Sequence, residues 1–168
     1  MQLNHYTSPF KKQKFPITLV CDNVTNAPNI GSLFRIADAF GIEKLILCGE
    51  HITIGRKMAK TSRATEKYIN YSIKSNILDT ITTLKKANHK IIAIEITENS
   101  NALNMHIFNN QEPIVLVMGD ENYGVTDDVL KLADSILHIN MYGNNSSMNV
   151  TQAASIVLYE ITKQLQKL

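Results

Sequence analysis

Short apolar runs alternate with helical stretches along the chain. ITLVCDNV (Ile17 to Val24), KLILC (Lys44 to Cys48), KIIAIEI (Lys90 to Ile96), IVLVM (Ile114 to Met118) and ILHINM (Ile136 to Met141) have the length and β-branched content of buried strands. A further short strand is predicted over Tyr68 to Ile73. Between the runs, apolar residues recur at i, i+3, i+4 spacing: Ile30, Leu33, Phe34 and Ala37; Ile77, Leu78, Ile81 and Leu84; Val129, Leu130 and Ala133. The last such stretch carries Val150, Ala153, Ala154, Val157, Leu158, Ile161 and Leu165 on one face. The predicted helices therefore cover Asn29 to Phe40, stopped by Gly41; Ser75 to Asn88; a segment capped by Thr126; and a long final helix capped by Ser147 or Asn149. Gly49 to Thr65 shows no such period and reads as irregular.

Strands of five to eight residues separated by helices indicate an α/β fold with a mostly parallel sheet and helices on both faces. In such folds ligands gather at the carboxyl ends of the strands. The most polar, glycine-bearing turns lie there, at Asn23 to Gly31, Gly119 to Gly124 and Tyr142 to Asn149. Three turns on one edge predict a pocket.

Composition refines this picture. A chain of 168 residues supports one core, and its 44% hydrophobic and 19% charged content is that of an ordinary globular domain. The N-terminus lacks the apolar stretch of a secretory signal, and no run suits a membrane span, so the expectation is cytoplasmic. Cys21 and Cys48 fall in or at the ends of predicted strands and read as buried, reduced thiols. Neither they nor the scattered histidines have ligand spacing, so no bound metal is expected. Charge is uneven: 11 Lys and 3 Arg face 6 acids in residues 1–90, whereas 3 Lys face 9 acids in residues 91–168. The basic residues cluster at Lys11, Lys12 and Lys14 and again at Arg56, Lys57, Lys60 and Arg63, which suits a polyanionic partner. Residues 1–16 read as a basic tail in which Phe10 and Phe15 could dock on the body, and residues 17–168 as a single domain with no appended RNA-binding module.

The chain has no GxGxxG, no GxxxxGK[ST] and no GxSxG motif, which removes the common dinucleotide, P-loop and nucleophile-elbow readings. The turns offer instead a guanidinium (Arg35), a carboxylate (Glu121), neutral donors and acceptors (Asn29, Ser147, Asn149) and free backbone amides. That inventory fits a polar small molecule beside a phosphate or hydroxyl.

NIGSLFR (Asn29 to Arg35) resembles motif 1 of the SpoU-type, TrmH-like RNA 2′-O-ribose methyltransferases of the SPOUT superfamily. VMGDENYGV (Val117 to Val125) is similar to their motif 2, and INMYGNNSSMNVTQAA (Ile139 to Ala154) to motif 3. The three occur in order across residues 17–165. Departures are Asn140 where the family usually has Pro, Met148 for Leu, Thr151 for Ser, and Asp120 for a small or amide residue.

The resemblance implies S-adenosylmethionine as methyl donor, tRNA or rRNA as substrate, a homodimer, and a C-terminal trefoil knot that holds the cofactor. It implies an active-site set of Asn29, Arg35, Glu121, Ser147 and Asn149, with Glu121 positioning Arg35 or Asn29. The implied cofactor wall is Gly119, Ile139, Met141 and Met148, with Ile94. RNA is expected across Arg56, Lys57, Lys60 and Arg63 together with the tail lysines. The final helix, which carries Ile156 and Tyr159 off its inward stripe, is expected to supply the dimer interface. A catalytically silent RNA-binding dimer on the same fold is the alternative.

Overall fold

The computed structural model describes residues 8–166; residues 1–7 of the basic tail and residues 167–168 lie outside the described residues. In chain order the elements are β1 (Phe15–Asp22), α1 (Ala27–Ala39), β2 (Ile42–Cys48), α2 (Arg56–Ser62), β3 (Tyr71–Lys74), α3 (Ile77–Lys86) and β4 (Lys90–Ile94). They continue with β5 (Asn101–Ala102), β6 (Ile114–Gly119), α4 (Asp127–Leu132), β7 (Ser135–His138) and α5 (Val150–Leu165). The seven strands form one sheet in the order β3-β2-β1-β6-β4-β7-β5. All of its paired strands are parallel.

Because side chains alternate along a strand, a parallel sheet with apolar residues at consecutive positions must be covered on both faces. Ile114, Leu116 and Met118 of β6 join one core with α1, Met58 of α2 and α5. Val115 and Val117 face the opposite core, closed by Ile81 of α3 and Val129 of α4. Full burial of Leu33 and Phe34 on α1 contributes about 1.5–3 kcal/mol each. Gly31 is required by the approach of α2 to α1: a Cβ there would lie 2.5 Å from the Met58 carbonyl oxygen. Gly41, at φ +59°, ends α1 as expected. Among the described residues no helix is long and apolar enough to cross a membrane.

Both cysteines are buried and free. Burial raises the Cys21 thiol far above its ordinary range. Burial also pushes Cys48 up to about 11, against the opposing effect of its bond to Thr80.

Several local expectations are corrected. The segment read as irregular contains α2, which sequence periodicity misses because only Met58 and Ser62 are buried in its seven residues. A 3-10 turn follows at Thr65–Lys67. β3 occupies Tyr71–Lys74 rather than Tyr68 to Ile73. β7 ends at His138, so Ile139 and Met141 have left the sheet. Thr126 does stand before α4, but its side chain makes no cap; its hydroxyl donates to Asp22 Oδ2 at 3.1 Å. β1 starts at Phe15, which is buried, whereas Phe10 is 89% exposed and does not dock.

Candidate active site

The carboxyl ends of β4, β6 and β7 open into a cleft of about 580 Å³. Its apolar wall includes Ile94, Met118, Ile139, Met141, Met148 and Val150, and Gly119 also lines it. All five residues assigned to the cofactor wall from sequence thus meet in one cleft. Ile139 and Met141 reach it because the chain leaves the sheet after His138. Gly119 admits no side chain, since a Cβ would stand 2.0 Å from the Gly124 carbonyl carbon. The turn from Gly119 to Gly124 is closed by the Gly124 N–H donating to the Asp120 carbonyl at 2.8 Å.

Three of the five proposed active-site residues are hydrogen-bonded to one another. Asn29 Nδ2 donates to Glu121 Oε1 at 3.0 Å, and Asn149 Nδ2 donates to Asn29 Oδ1 at 3.2 Å. Asn149 Nδ2 also donates to Glu121 Oε1. The other side of the Asn149 amide is fixed: Oδ1 accepts the Thr151 N–H at 2.9 Å, capping α5. Asn149, not Ser147, is therefore the cap. Asn29 is held in turn by its own N–H, which donates to Asn26 Oδ1 at 3.1 Å. Asn26 caps α1.

Ser147 is exposed and lines the cleft. Arg35 stands apart. It is exposed on α1, is not among the cleft-lining residues, and makes no hydrogen bond or ion pair with the described residues. Of the two roles open to Glu121, the contact observed is with Asn29. Arg56, Lys57, Lys60 and Arg63 are all exposed on or next to α2, which packs against α1. Arg63 adopts the left-handed conformation at φ +51°.

Sequence reasoning missed two carboxylates that hold the turn after β6. Asp22, at the end of β1 and 5% exposed, accepts the Thr126 N–H through Oδ2 at 3.2 Å. Glu95, just past β4, accepts the Val125 N–H through Oε2 at 3.0 Å. β1 and β4 flank β6, so these acids clamp the turn from both sides. The available signal was the placement of an acid at a strand's carboxyl end; for Glu95 it was hidden because the strand was read as running to Ile96. The cleft is lined by Glu95, Asp120, Glu121 and Asp127 and by no Lys or Arg among the described residues.

Comparison with known proteins agrees with the geometry. The tRNA (guanosine(18)-2′-O)-methyltransferase of Escherichia coli strain K12 is 28% identical over 152 residues, 89% of this chain and 64% of that protein. The crystal structure of the A. aeolicus TrmH/SpoU tRNA modifying enzyme superposes with a TM-score of 0.82 at 27% identity, covering 93% of this chain and 78% of that one. An AdoMet-bound rRNA methyltransferase from Sinorhizobium meliloti gives a TM-score of 0.78 at 28% identity, covering 93% of this chain and 59% of that one. The chain spans about three-fifths of the length of several curated relatives that it matches. Residues 16–159 match the SpoU rRNA Methylase family, and with the sheet, the cleft and the joined motif residues in place, the chain belongs to that family.

Proposed function

We propose that the chain is an S-adenosylmethionine-dependent RNA methyltransferase acting on a ribose 2′-hydroxyl of tRNA or rRNA. The observation that carries this reading is the Asn29–Glu121–Asn149 linkage, which ties motifs 1, 2 and 3 together beside the cleft. The relatives' names supply the substrate class, and the AdoMet-bound neighbour supplies the donor.

The residues present fit that donor. The cleft has a ligand-sized volume, apolar walls for an adenosyl group, and carboxylates with no Lys or Arg beside them among the described lining residues, which suits a ligand bearing a sulfonium. Thr97 lines it and has a buried hydroxyl with no partner among the described residues. When bound, S-adenosylmethionine supplies an electrophilic methyl group on a sulfonium sulfur. Ile94, Ile139, Met141 and Met148 hold the apolar part, and Gly119 lets the backbone approach. Glu121 fixes both asparagine amides, so that Asn149 and Ser147 orient the ribose or the methionine moiety.

Arg35 holds a substrate phosphate and stabilises negative charge growing on the 2′ oxygen. A guanidinium is a multiple hydrogen-bond donor and a poor general base, so the role assigned to Arg35 is electrostatic. Arg56, Lys57, Lys60 and Arg63 supply sequence-independent phosphate contacts.

The proposal extends to assembly and topology. Two copies pair through α5, where Ile156 and Tyr159 are 42% and 61% exposed and line, with Leu103 and Tyr142, a groove of about 430 Å³. A second copy is the occupant that covers this apolar face. The segment after β7 forms the trefoil knot, a reading supported by its path out of the sheet and into the wall of the cleft.

Isothermal titration of the purified protein tests the central part. Saturable binding of S-adenosylmethionine and S-adenosylhomocysteine is expected, and failure to bind either overturns the reading.

A further inference from the structure

We propose that Glu95 is a positioning residue that sets the shape of the donor cleft and, through it, the position of Glu121; the inference rests on the S-adenosylmethionine reading above. Glu95 is tied to all three walls of the cleft. Its backbone N–H donates to the Leu137 carbonyl at 3.0 Å, at the end of β7 where motif 3 begins. Its Oε1 accepts the Ile96 N–H at 2.9 Å, which folds the carboxylate back over the end of β4. Its Oε2 accepts the Val125 N–H at 3.0 Å, at the far end of the turn that carries Glu121.

The neighbouring glycine records the same fit. Gly124 sits at φ +67°, and a Cβ there would lie 2.2 Å from Glu95 Oε2, so the carboxylate occupies the space that a side chain would need. Asp22 holds the next amide from the opposite strand but is not among the cleft-lining residues, whereas Glu95 is. A backbone N–H buried beside a cleft and deprived of its charged acceptor costs more than an ordinary exposed bond, so loss of Glu95 frees the turn. Freed at Val125, the turn no longer holds Glu121 against Asn29 and Asn149.

The test compares Glu95→Met, which keeps length and removes both acceptors, with Glu95→Gln, which keeps one acceptor oxygen. Two readouts are taken on the full chain: amide hydrogen exchange at residues 119–126, which needs no ligand, and S-adenosylmethionine affinity by calorimetry. Glu95→Met is expected to speed exchange at Val125 while leaving the strand amides of β6 protected, and to weaken S-adenosylmethionine binding by ~10-fold. Glu95→Gln is expected to stay within about threefold of the parent. Unchanged exchange at Val125 or unchanged affinity in Glu95→Met overturns the inference, as does a Glu95→Gln protein as impaired as Glu95→Met. Should Glu95→Met fail to fold, Glu95→Asp, whose arm is one methylene shorter, is judged by the same criteria. A parent protein that does not bind S-adenosylmethionine refutes the proposed function instead, and the exchange result still decides whether Glu95 holds the turn.

Discussion

Asn29 and Glu121 are 92 residues apart in the chain and 3.0 Å apart in the structure, amide to carboxylate. Asn29 enters from the first turn of α1, and Glu121 from the turn after β6. Since β1 and β6 are neighbouring parallel strands, the segments that follow them emerge on one edge of the sheet. Asn149 completes the group from the cap of α5. The consequence is that three polar residues are oriented by protein contacts alone. Arg35 has no such contact among the described residues; in the proposed mechanism its guanidinium serves the substrate.

Arg35→Ala is therefore expected to lower kcat by ~10²- to 10³-fold, the usual contribution of an electrostatic group at developing charge. S-adenosylmethionine affinity should stay within a few fold. Arg35→Lys should rescue little, because a point charge does not reproduce the bidentate fork. Single-turnover kinetics on the RNA substrate, paired with donor titration, measures both; near-normal turnover by Arg35→Ala would refute the assignment.

Light scattering at micromolar concentration should return twice the 18.8 kDa mass of the chain. Tyr159→Asp places a charge in the α5 groove and should shift the protein toward monomer. A parent protein that scatters as a monomer contradicts the pairing.

Charge reversal at Arg56 and Lys60 should weaken RNA binding and flatten its salt dependence. Each lost phosphate contact should remove about 0.7–0.9 from the slope of log affinity against log salt. Filter binding of bulk tRNA across a salt series measures this. An unchanged affinity and slope would place the RNA elsewhere.

The Cys48 thiol gives a pH prediction. Its pKa is pushed from 9.0 to about 11 in the folded protein, chiefly by burial. An acid whose folded pKa is raised contributes stability that is complete below pH 9 and is lost as pH rises toward about 11, because the unfolded chain ionises first. Native protein should resist iodoacetamide at pH 8 and react once unfolded. Denaturant midpoints should fall between pH 9 and 11 and fall less in Cys48→Ala; a flat profile would contradict the assignment.

Much of this architecture is legible in the sequence, for reasons that differ by element. α5 declares itself because seven apolar residues fall on one face, and β6 because IVLVM must be covered on both sides. α2 does not: a seven-residue helix that buries Met58 and Ser62 leaves no period to read. β5 is only two residues long and is defined by its pairing with β7. Asn29, Glu121 and Asn149 stand out as polar residues of turns at strand ends, but their grouping into one set came from motif resemblance, since no spacing rule joins residues separated by 92 and 28 positions. Glu95 lay beyond both routes. It belongs to none of the three motifs, and its role depends on the side-to-side order of β4 and β6, which is a property of the sheet.

The most direct test of the account is a map of ribose methylation in total RNA from a strain lacking the gene, set against its parent. The account predicts at least one 2′-O-methylated nucleotide in tRNA or rRNA that is lost in the deletion and restored by the wild-type chain but not by the Arg35→Ala chain. Identical methylation maps in parent and deletion would contradict it.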